Sequence, residues 1–575
     1  MLVPVLFMLL FLSGVSWAEE LCPDVTVTDS EEIKLTESEK LLLCGDKESQ
    51  AYQFIPLYQK KFYLTSFLQS RAFLSPTFKI EGDKLLVTVG HKSQVEKVVV
   101  KSVDEKNAEE LKKGLKRLFR YAPLNPSTLD AMEAESKAAF RRYGYACIRP
   151  SASAFIENDQ VEMELQNEKK FLFGEVTKEP IEGIRMRALD RFYPFKSSDV
   201  FNSRLLTLTE KRMVRSEVIQ ATYFTDTCLD PEEDFALSQY FILGPPRTIR
   251  FGIGASTEVG PMIRFKWSHN RYKDMASRLE ASLNASFRNQ VLTLRSDQYL
   301  WKDHPRRSFF SELTLSRESQ KLFEQTSMNF DNMIKWTRDK GGKLYAWSLG
   351  PSYEYGFYST NEVSDTRSFS NIYLKGMFSF FDHDYEFYDI NPEEGNALTI
   401  NAEVRRQSLG FNTDLVRLNT SYTHFHRFFY WGKGSLIGGF KSLLGTSIVD
   451  RDFSLTRLPP NVKFYAGGSD DIRGFDLKSL PMNSGEGALT RAGGKFELRR
   501  THLFIPSLEA FTFYDLVFLG DQSFNVDQTY WYSVGAGLRW LSPIGLVQTF
   551  IANSYKKVPY ENLGPYGFIG LGGSF

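Results

Sequence analysis

The second half of the chain places the strongest constraint on the fold. From Arg247 to Phe575, segments of about ten residues alternate apolar and polar side chains, and turns rich in Gly, Asn, Asp and Ser separate them. A period of two is typical of β-strands whose two faces meet different surroundings. We count about sixteen such segments and no convincing helix among them. The second half is therefore predicted to be all-β.

The two faces of these segments differ in chemistry. Segment 494–499 sets two large apolar side chains against three charged ones, and segment 533–540 sets Trp540 against Arg539. Rings on one face and charges on the other fit a transmembrane β-barrel with a wet lumen, although a soluble β-sandwich also alternates. The barrel is favoured because the aromatic content is high, at 14%, the strand number is even and the amino terminus predicts export.

The amino terminus has the pattern of a secretory signal. Leu2 to Trp17 is an apolar run that ends in Ser16-Trp17-Ala18, so residues 1–18 are predicted to be a signal peptide. A transmembrane anchor is the alternative, but Pro4 and Gly14 interrupt the run, which is shorter than the ~20 residues of a spanning helix. No later stretch of the sequence approaches that length and apolar character.

All four cysteines lie in the first half of the chain: Cys22, Cys44, Cys147 and Cys228. In the oxidising compartment of an exported protein they could form two disulfides, and four cysteines allow three pairings. The pair Cys22–Cys44 is favoured because it is local, which leaves Cys147 with Cys228. Their spacing does not indicate zinc, and no metal site or cofactor is predicted.

The first half alternates helix and strand patterns, and every tryptophan beyond Trp17 lies after residue 246. Residues 95–168 show the clearest unit, with a strand at 95–103 and a helix capped by Asp104. A second helix begins at Asn125-Pro126, and a hairpin turns at Asn158-Asp159. This order, β-α-α-β-β, can also be fitted to the flanking sequence.

Upstream, a helix pattern over 51–73 leads to a hairpin at 81–83. Downstream, strands are predicted at 171–176, 218–224 and 235–243, with helices after the first. We therefore predict α+β domains over residues 19–94, 95–168 and 169–246, followed by a barrel over residues 247–575.

The most specific motif lies in the long connection 448–485, where residues 464–475 read FYAGGSDDIRGF. Here the chain resembles the outer-membrane assembly superfamily that includes BamA, TamA and two-partner secretion transporters. In that family an Arg-Gly-Phe occupies the tip of the sixth extracellular loop, folded into the barrel. Residues 533–545 resemble the family's penultimate hairpin. The resemblance covers essentially the whole chain: periplasmic β-α-α-β-β repeats, called POTRA domains, and a 16-stranded transmembrane β-barrel.

The resemblance implies roles for five residues. Arg473, Gly474 and Phe475 would form the loop tip in the barrel lumen, and the acids Glu497 and Asp515 on the wall would pair with Arg473. A planar guanidinium suits this place because it can bind carboxylates through two parallel hydrogen bonds. Without the resemblance, Arg473 would be taken for a solvated loop residue.

The last predicted strand, 564–575, is rich in glycine. Because glycine packs no side chain and weakens pairing, the seam between this strand and the first one, 247–256, is predicted to be the weakest in the barrel. An opened seam would offer unpaired backbone on which a client strand can form. We assign Gly570, Gly572 and the terminal Phe575 to the seam and to a carboxyl-terminal assembly signal.

Three repeats in a chain of this length resemble the TamA branch, whereas five would suggest BamA and two a secretion transporter. This implies an outer-membrane assembly factor, with periplasmic amino-terminal domains, that inserts β-barrel or autotransporter clients through the seam. Its partners would be those clients, the outer-membrane lipid and a TamB-like protein anchored in the inner membrane. The alternative is a translocation pore of the two-partner-secretion type.

Other functions find less support in the sequence. It contains no Walker, GxSxG or HExxH motif, so no enzyme is predicted, and a net charge of zero argues against nucleic-acid binding. His424 and His426 share one strand face without an evident third metal ligand, which favours an interface or lumen pair. Residues 382–386 could chelate calcium, but a solvated acidic turn is favoured.

Overall fold

The computed structural model describes residues 19–28, 33, 35–45, 55–228, 236–361, 365–387, 392–432, 434–450, 454–481, 486–543 and 545–571. The predicted signal peptide, residues 1–18, lies outside the described residues. The chain divides into two compact units, one made mainly of residues before 175 and the other mainly of residues from 175 onward. No helix among the described residues is both long and apolar enough to cross a membrane.

The first unit begins with a four-stranded mixed sheet of order β1-β2-β4-β3. Its elements are β1 (Glu19–Cys22), β2 (Val25–Thr28), α1 (Glu37–Cys44), α2 (Leu57–Ser70), β3 (Thr77–Glu81) and β4 (Lys84–Thr88). Two strands precede the helices, one more than the predicted order contains. They form because Val25 and Val27 are buried in the same core as Leu64 and Leu68 of α2, which removes their apolar surface from water.

The second small sheet has the predicted β-α-α-β-β order. Its elements are β5 (Lys97–Lys101), α3 (Glu105–Phe119), α4 (Pro126–Arg141), β6 (Arg149–Phe155) and β7 (Gln160–Gln166), in the sheet order β5-β7-β6. Both predicted helix caps are present: Asp104 accepts a hydrogen bond from the Asn107 backbone, and Asn125 accepts one from Thr128. The helices cover one face of the sheet with a common apolar core.

The third small sheet departs further from the prediction. It comprises β8 (Val176–Lys178), a 3₁₀ helix (Met186–Phe192), α5 (Ser203–Arg215), β9 (Ala221–Thr227) and β10 (Ala236–Ile242), in the order β8-β10-β9. The predicted strand over 171–176 is wrong, because the strand starts only at Val176 and ends at Lys178; Phe171 and Phe173 lie before it as buried rings. Pro180, which has no backbone N–H to donate to a sheet, follows this strand closely, and the first helix of this unit is a 3₁₀ helix.

The rest of the second unit is a closed barrel of sixteen antiparallel strands, so the predicted fold class is confirmed. The strands are β11 (Arg247–Ser256), β12 (Gly260–Tyr272), β13 (Ser277–Ser286), β14 (Asn289–Gln298), β15 (Arg307–Ser319), β16 (Phe323–Lys340), β17 (Lys343–Thr360), β18 (Arg367–Phe381), β19 (Gly395–Arg405), β20 (Leu415–Trp431), β21 (Gly434–Ile448), β22 (Thr490–Arg500), β23 (Leu508–Gly520), β24 (Tyr530–Ser542), β25 (Gly545–Lys557) and β26 (Glu561–Leu571). A short helix, α6 (His383–Phe387), lies between β18 and β19 and was not predicted.

Alternation along the strands separates an apolar exterior from a polar lumen. Val534 and Leu538 of β24 are exposed, whereas Ser533 on the opposite face is fully buried. Phe496 and Leu498 of β22 are likewise exposed on the outside. We call the end at which β11 begins the proximal end, and the end that carries the connection 449–489 the distal end.

Helix α5 is bound to the proximal turns of the barrel by ion pairs. Arg212 donates to Asp339 at 2.7 Å and to both carboxylate oxygens of Glu386 at 2.8 and 2.6 Å. Arg204 pairs with Asp384 of α6. Asp384 and Glu386 are therefore held by arginines of α5, which differs from the solvated acidic turn expected from the sequence.

Candidate functional site: the luminal loop and the seam

The connection 449–489, here called the luminal loop, runs from β21 to β22 and packs against inward-facing side chains. Ile472, Phe475 and Leu480 of the loop are buried in one cluster with Val517 and Trp531 of the wall. Gly467 and Gly468 have φ of 110° and 116°, values that side chains with a Cβ rarely adopt. A Cβ at Gly467 would also lie 2.2 Å from the Asp476 carbonyl. The glycine pair therefore lets the loop fold back on itself.

Arg473 joins the loop to two neighbouring strands. Its backbone N–H, Nε and Nη2 donate to the Asp515 carboxylate at 3.0, 2.8 and 2.7 Å, and its Nη1 donates to Glu497 at 2.6 Å. The guanidinium also lies 3.8 Å from the centre of the Phe513 ring. Arg473 is 3% exposed and Asp515 is fully buried. Such a pair is held by directed, charge-assisted hydrogen bonds away from bulk water.

Gly474 fits the loop tip against the next two strands. The carbonyls of Arg473 and Gly474 accept hydrogen bonds from Ser533 of β24 and Ser554 of β25. At φ 89°, a Cβ on Gly474 would lie 2.5 Å from the Ser554 hydroxyl. A larger residue would therefore push the tip off the wall. Phe475 follows directly and is 4% exposed in the loop cluster.

A second contact joins the loop to the turn between β11 and β12. Glu258 in that turn accepts hydrogen bonds from the Ser469 backbone at 3.1 Å and from the Ser469 hydroxyl at 2.8 Å. Burial raises the pKa of the Glu258 carboxyl above its ordinary value. The luminal loop thus contacts strands on both sides of the junction between β26 and β11.

That junction is the shortest strand pairing in the described barrel. Among the described residues, the register joins Ala255 with Leu571 and Ser256 with Gly570, whereas other neighbouring strands pair along most of their lengths, as β11 does with β12. One further backbone hydrogen bond runs from Thr257 to Ile569 at 3.0 Å. Of the predicted seam residues, Gly570 lies at this pairing, and Gly572 and Phe575 lie outside the described residues.

The four cysteines form two disulfides, Cys22–Cys44 and Cys147–Cys228, with Cα atoms 5.5 and 5.8 Å apart. Both pairs agree with the prediction, in which Cys22–Cys44 was favoured as the local pair and Cys147 was left with Cys228.

Comparison with known proteins gives the family of the barrel. The Omp85 superfamily domain matches residues 242–575. The chain belongs to the Omp85 superfamily. Its barrel is accordingly an outer-membrane β-barrel, as the sequence predicted.

Solved structures of similar fold include two kinds of protein. BamA from Haemophilus ducreyi lacking POTRA domains 1–3 is 13% identical, covers 84% of this chain and 100% of its own, and has a TM-score of 0.50. CdiB from Escherichia coli is 13% identical, covers 90% of this chain and 97% of its own, and has a TM-score of 0.47.

Three residues that contact the loop tip of this Omp85 protein were not anticipated: Glu258, Ser533 and Ser554. Glu258 is 211 residues from Ser469 in the chain, and no local pattern marks a pairing over that distance. Ser533 could have been found, because the alternation of 533–540 already placed it on the inward face. Alternation predicts that Ser533 faces inward, but it does not predict which group of the loop the Ser533 hydroxyl binds.

Proposed function

We propose that this Omp85 protein is an outer-membrane assembly factor of the TamA kind that inserts β-barrel or autotransporter clients between β11 and β26. The observation that carries this proposal is that, among the described residues, those strands pair at two positions and residues 561–568 of β26 pair along one edge only. Strand pairing supplies the hydrogen bonds that hold a barrel closed, so the shortest pairing is the least costly to open. Insertion by this route consists of binding and strand exchange, without enzyme chemistry.

The free edge of β26 supports a route for the client. From Glu561 to Phe568, β26 pairs with β25, and within the described residues no strand pairs with its other edge. Unpaired N–H and C=O groups at a sheet edge can template an added strand. A client strand that binds this edge would extend the sheet without first breaking a long existing pairing.

The three small sheets before the barrel favour the TamA kind over a translocation pore of the two-partner-secretion type, for which two repeats are expected. In this proposal the amino-terminal sheets lie in the periplasm and bind a TamB-like protein anchored in the inner membrane. Clients then reach the proximal end of the barrel from the periplasm.

A disulfide across the seam tests the proposal. In the double variant Ser256→Cys/Gly570→Cys, a Cβ built on Gly570 lies 3.6 Å from the Ser256 Cβ, within the range that a disulfide needs. That Cβ also approaches the edge of the buried Phe568 ring at 2.8 Å, so the ring must shift in both this variant and its control. We expect the oxidised double variant to lose client insertion into vesicles and the reduced form to regain it.

The matched control is Gln548→Cys/Gly570→Cys, because Gln548 pairs with Gly570 from β25. It carries the same change at Gly570 but links β25 to β26 and leaves the seam free. It should keep insertion activity when oxidised. Full activity of the oxidised seam variant, with the disulfide verified by mass spectrometry, would refute insertion through this seam.

A further inference from the structure

A separate feature lies on the outer wall of the barrel. Outward-facing residues of β20 to β24 surround a cavity of about 900 Å³. Its floor consists of the small residues Gly438, Thr512 and Ala536 together with Leu498, which the register aligns across four neighbouring strands. Aromatic side chains form its walls, namely Phe428, Phe440, Phe496 and Tyr514. We call this feature the outer groove.

The shape and lining of the outer groove match a hydrocarbon chain. Phe440 packs against Phe496 at 5.0 Å between ring centres, and Phe496 against Tyr514 at 6.3 Å. These rings stand beside the floor residues Thr512 and Ala536, which leave the depression unfilled. In a barrel embedded in lipid, the molecules that meet this wall are acyl chains.

A cation lies at the proximal rim close to this groove. Arg500 ends β22, two residues after the floor residue Leu498, and its guanidinium lies 4.2 Å from the centre of the Trp431 ring. Its Nε is buried without a hydrogen-bond partner, and no carboxylate among the described residues pairs with it. An outward guanidinium at a membrane surface matches a phosphate, which it can bind through two parallel hydrogen bonds.

Two histidines lie between this cation and the middle of the wall. His424 and His426 stack on the same outward face of β20, with ring centres 6.5 Å apart, and both border the groove. His424 Nδ1 lies 2.8 Å from the Asn396 side-chain oxygen. Polar groups on a lipid-facing wall are costly unless they are hydrogen-bonded, and the ester carbonyls of a lipid are acceptors at a suitable depth.

We propose that the outer groove binds one glycerophospholipid of the surrounding membrane. Arg500 binds its phosphate, His426 donates to an ester carbonyl and an acyl chain occupies the groove above Thr512 and Ala536. The charge of Arg500 sets the orientation of the bound lipid, so that its headgroup lies at the proximal rim. The inference depends on the barrel lying in lipid and is independent of client insertion through the seam.

Native mass spectrometry of the full chain tests this site. The protein is stripped of lipid in a non-phospholipid detergent and titrated with dioleoylphosphatidylglycerol. We expect one lipid to be retained by the wild type, several-fold weaker retention by Arg500→Gln, which lacks the cation, and several-fold weaker retention by Ala536→Phe, which fills the groove. Dioleoylglycerol, which has the same chains without phosphate, should bind weakly to all variants.

Two controls separate the site from general effects on the barrel. Lys557→Gln removes an outward cation at the distal end of β25, and Ala281→Phe adds a ring to the outer wall at β13. Both should retain the lipid as the wild type does. Equal retention by Arg500→Gln and Lys557→Gln, or equal binding of dioleoylglycerol, would overturn the proposal. A dimer that Ala536→Phe dissociates would assign the groove to a second copy of the chain and would overturn it as well.

Discussion

Asp515 is a fully buried carboxylate whose hydrogen bonds within the described part of the chain all come from Arg473. Two of these bonds need the planar fork of arginine, and a lysine ammonium cannot reproduce that geometry while also reaching Glu497. A buried polar group left without its partner costs roughly 1–3 kcal/mol, and a charged carboxylate costs more. The guanidinium of Arg473 therefore stabilises the folded barrel through its shape as well as its charge.

The variant Arg473→Lys keeps the charge and loses the fork. We expect its folded barrel, seen as the faster band on an unheated gel, to be lost at a temperature several degrees lower than in the wild type. The control is Lys478→Gln, which breaks a partly exposed ion pair of the same loop with Glu318 and should change little. Identical melting of Arg473→Lys and the wild type would contradict a structural role for the fork.

At the scale of single elements, the start of α3 depends on an ionised cap. The Tyr145 hydroxyl donates to Asp104 at 2.6 Å, and this bond is the main reason that the pKa of Asp104 is lowered from 3.8 to about 2. Because the pKa is lowered in the folded state, the carboxylate stabilises the helix above pH 3.8 and loses that contribution as the pH falls toward 2.

Tyr145→Phe removes this hydrogen bond while keeping the buried ring. We expect amide hydrogen exchange in α3 of the full chain to be faster in the variant at pH 6, with a difference that shrinks as the pH falls below 3.8. Rates are compared after correction for the intrinsic pH dependence of exchange. A difference of the same size at pH 6 and pH 3 would show that Asp104 ionisation does not stabilise α3.

The barrel strands could be predicted from the sequence, whereas two strands of the first small sheet could not. The barrel strands were recognisable because alternation is a local property, and sixteen strands from Arg247 were expected and found. The first two strands of the chain were not, since β1 and β2 are short and are held by a core formed with α2. For the loop tip, alternation placed Glu497 inside and a family motif marked Arg473. The contact between Ser469 and Glu258 depends on barrel closure, which no local pattern records.

At the scale of the whole molecule, Arg212 joins the third small sheet to the barrel. It is 8% exposed, as is Asp339, and it also binds Glu386 of α6 through two hydrogen bonds. Removing one partner of a buried ion pair leaves the other charge uncompensated, at a cost of about 3–5 kcal/mol. Arg212 therefore joins α5 to two of the proximal turns at once, whereas the pair of Arg204 with Asp384 reaches only one of them.

We expect Arg212→Gln to loosen α5 while the barrel stays closed. Hydrogen exchange of residues 203–215 should rise at least tenfold, and gel mobility of the folded barrel should be unchanged. Arg187→Gln is the control, because its ion pair with Asp303 is exposed and should have little effect. Unaltered protection of α5 in Arg212→Gln would show that other contacts suffice to hold this helix.

The position of the luminal loop in the chain also bears on the order in which the barrel and its loop contacts form. The acids that bind Arg473 belong to β22 and β23, and the serines beneath the tip belong to β24 and β25, all of which directly follow the loop. Other parts of the loop contact strands that precede it, through Glu258 and Glu318. The contacts of Arg473 and Gly474 can therefore form within the carboxyl-terminal strands before barrel closure, whereas the contacts with Glu258 and Glu318 need the earlier strands in place.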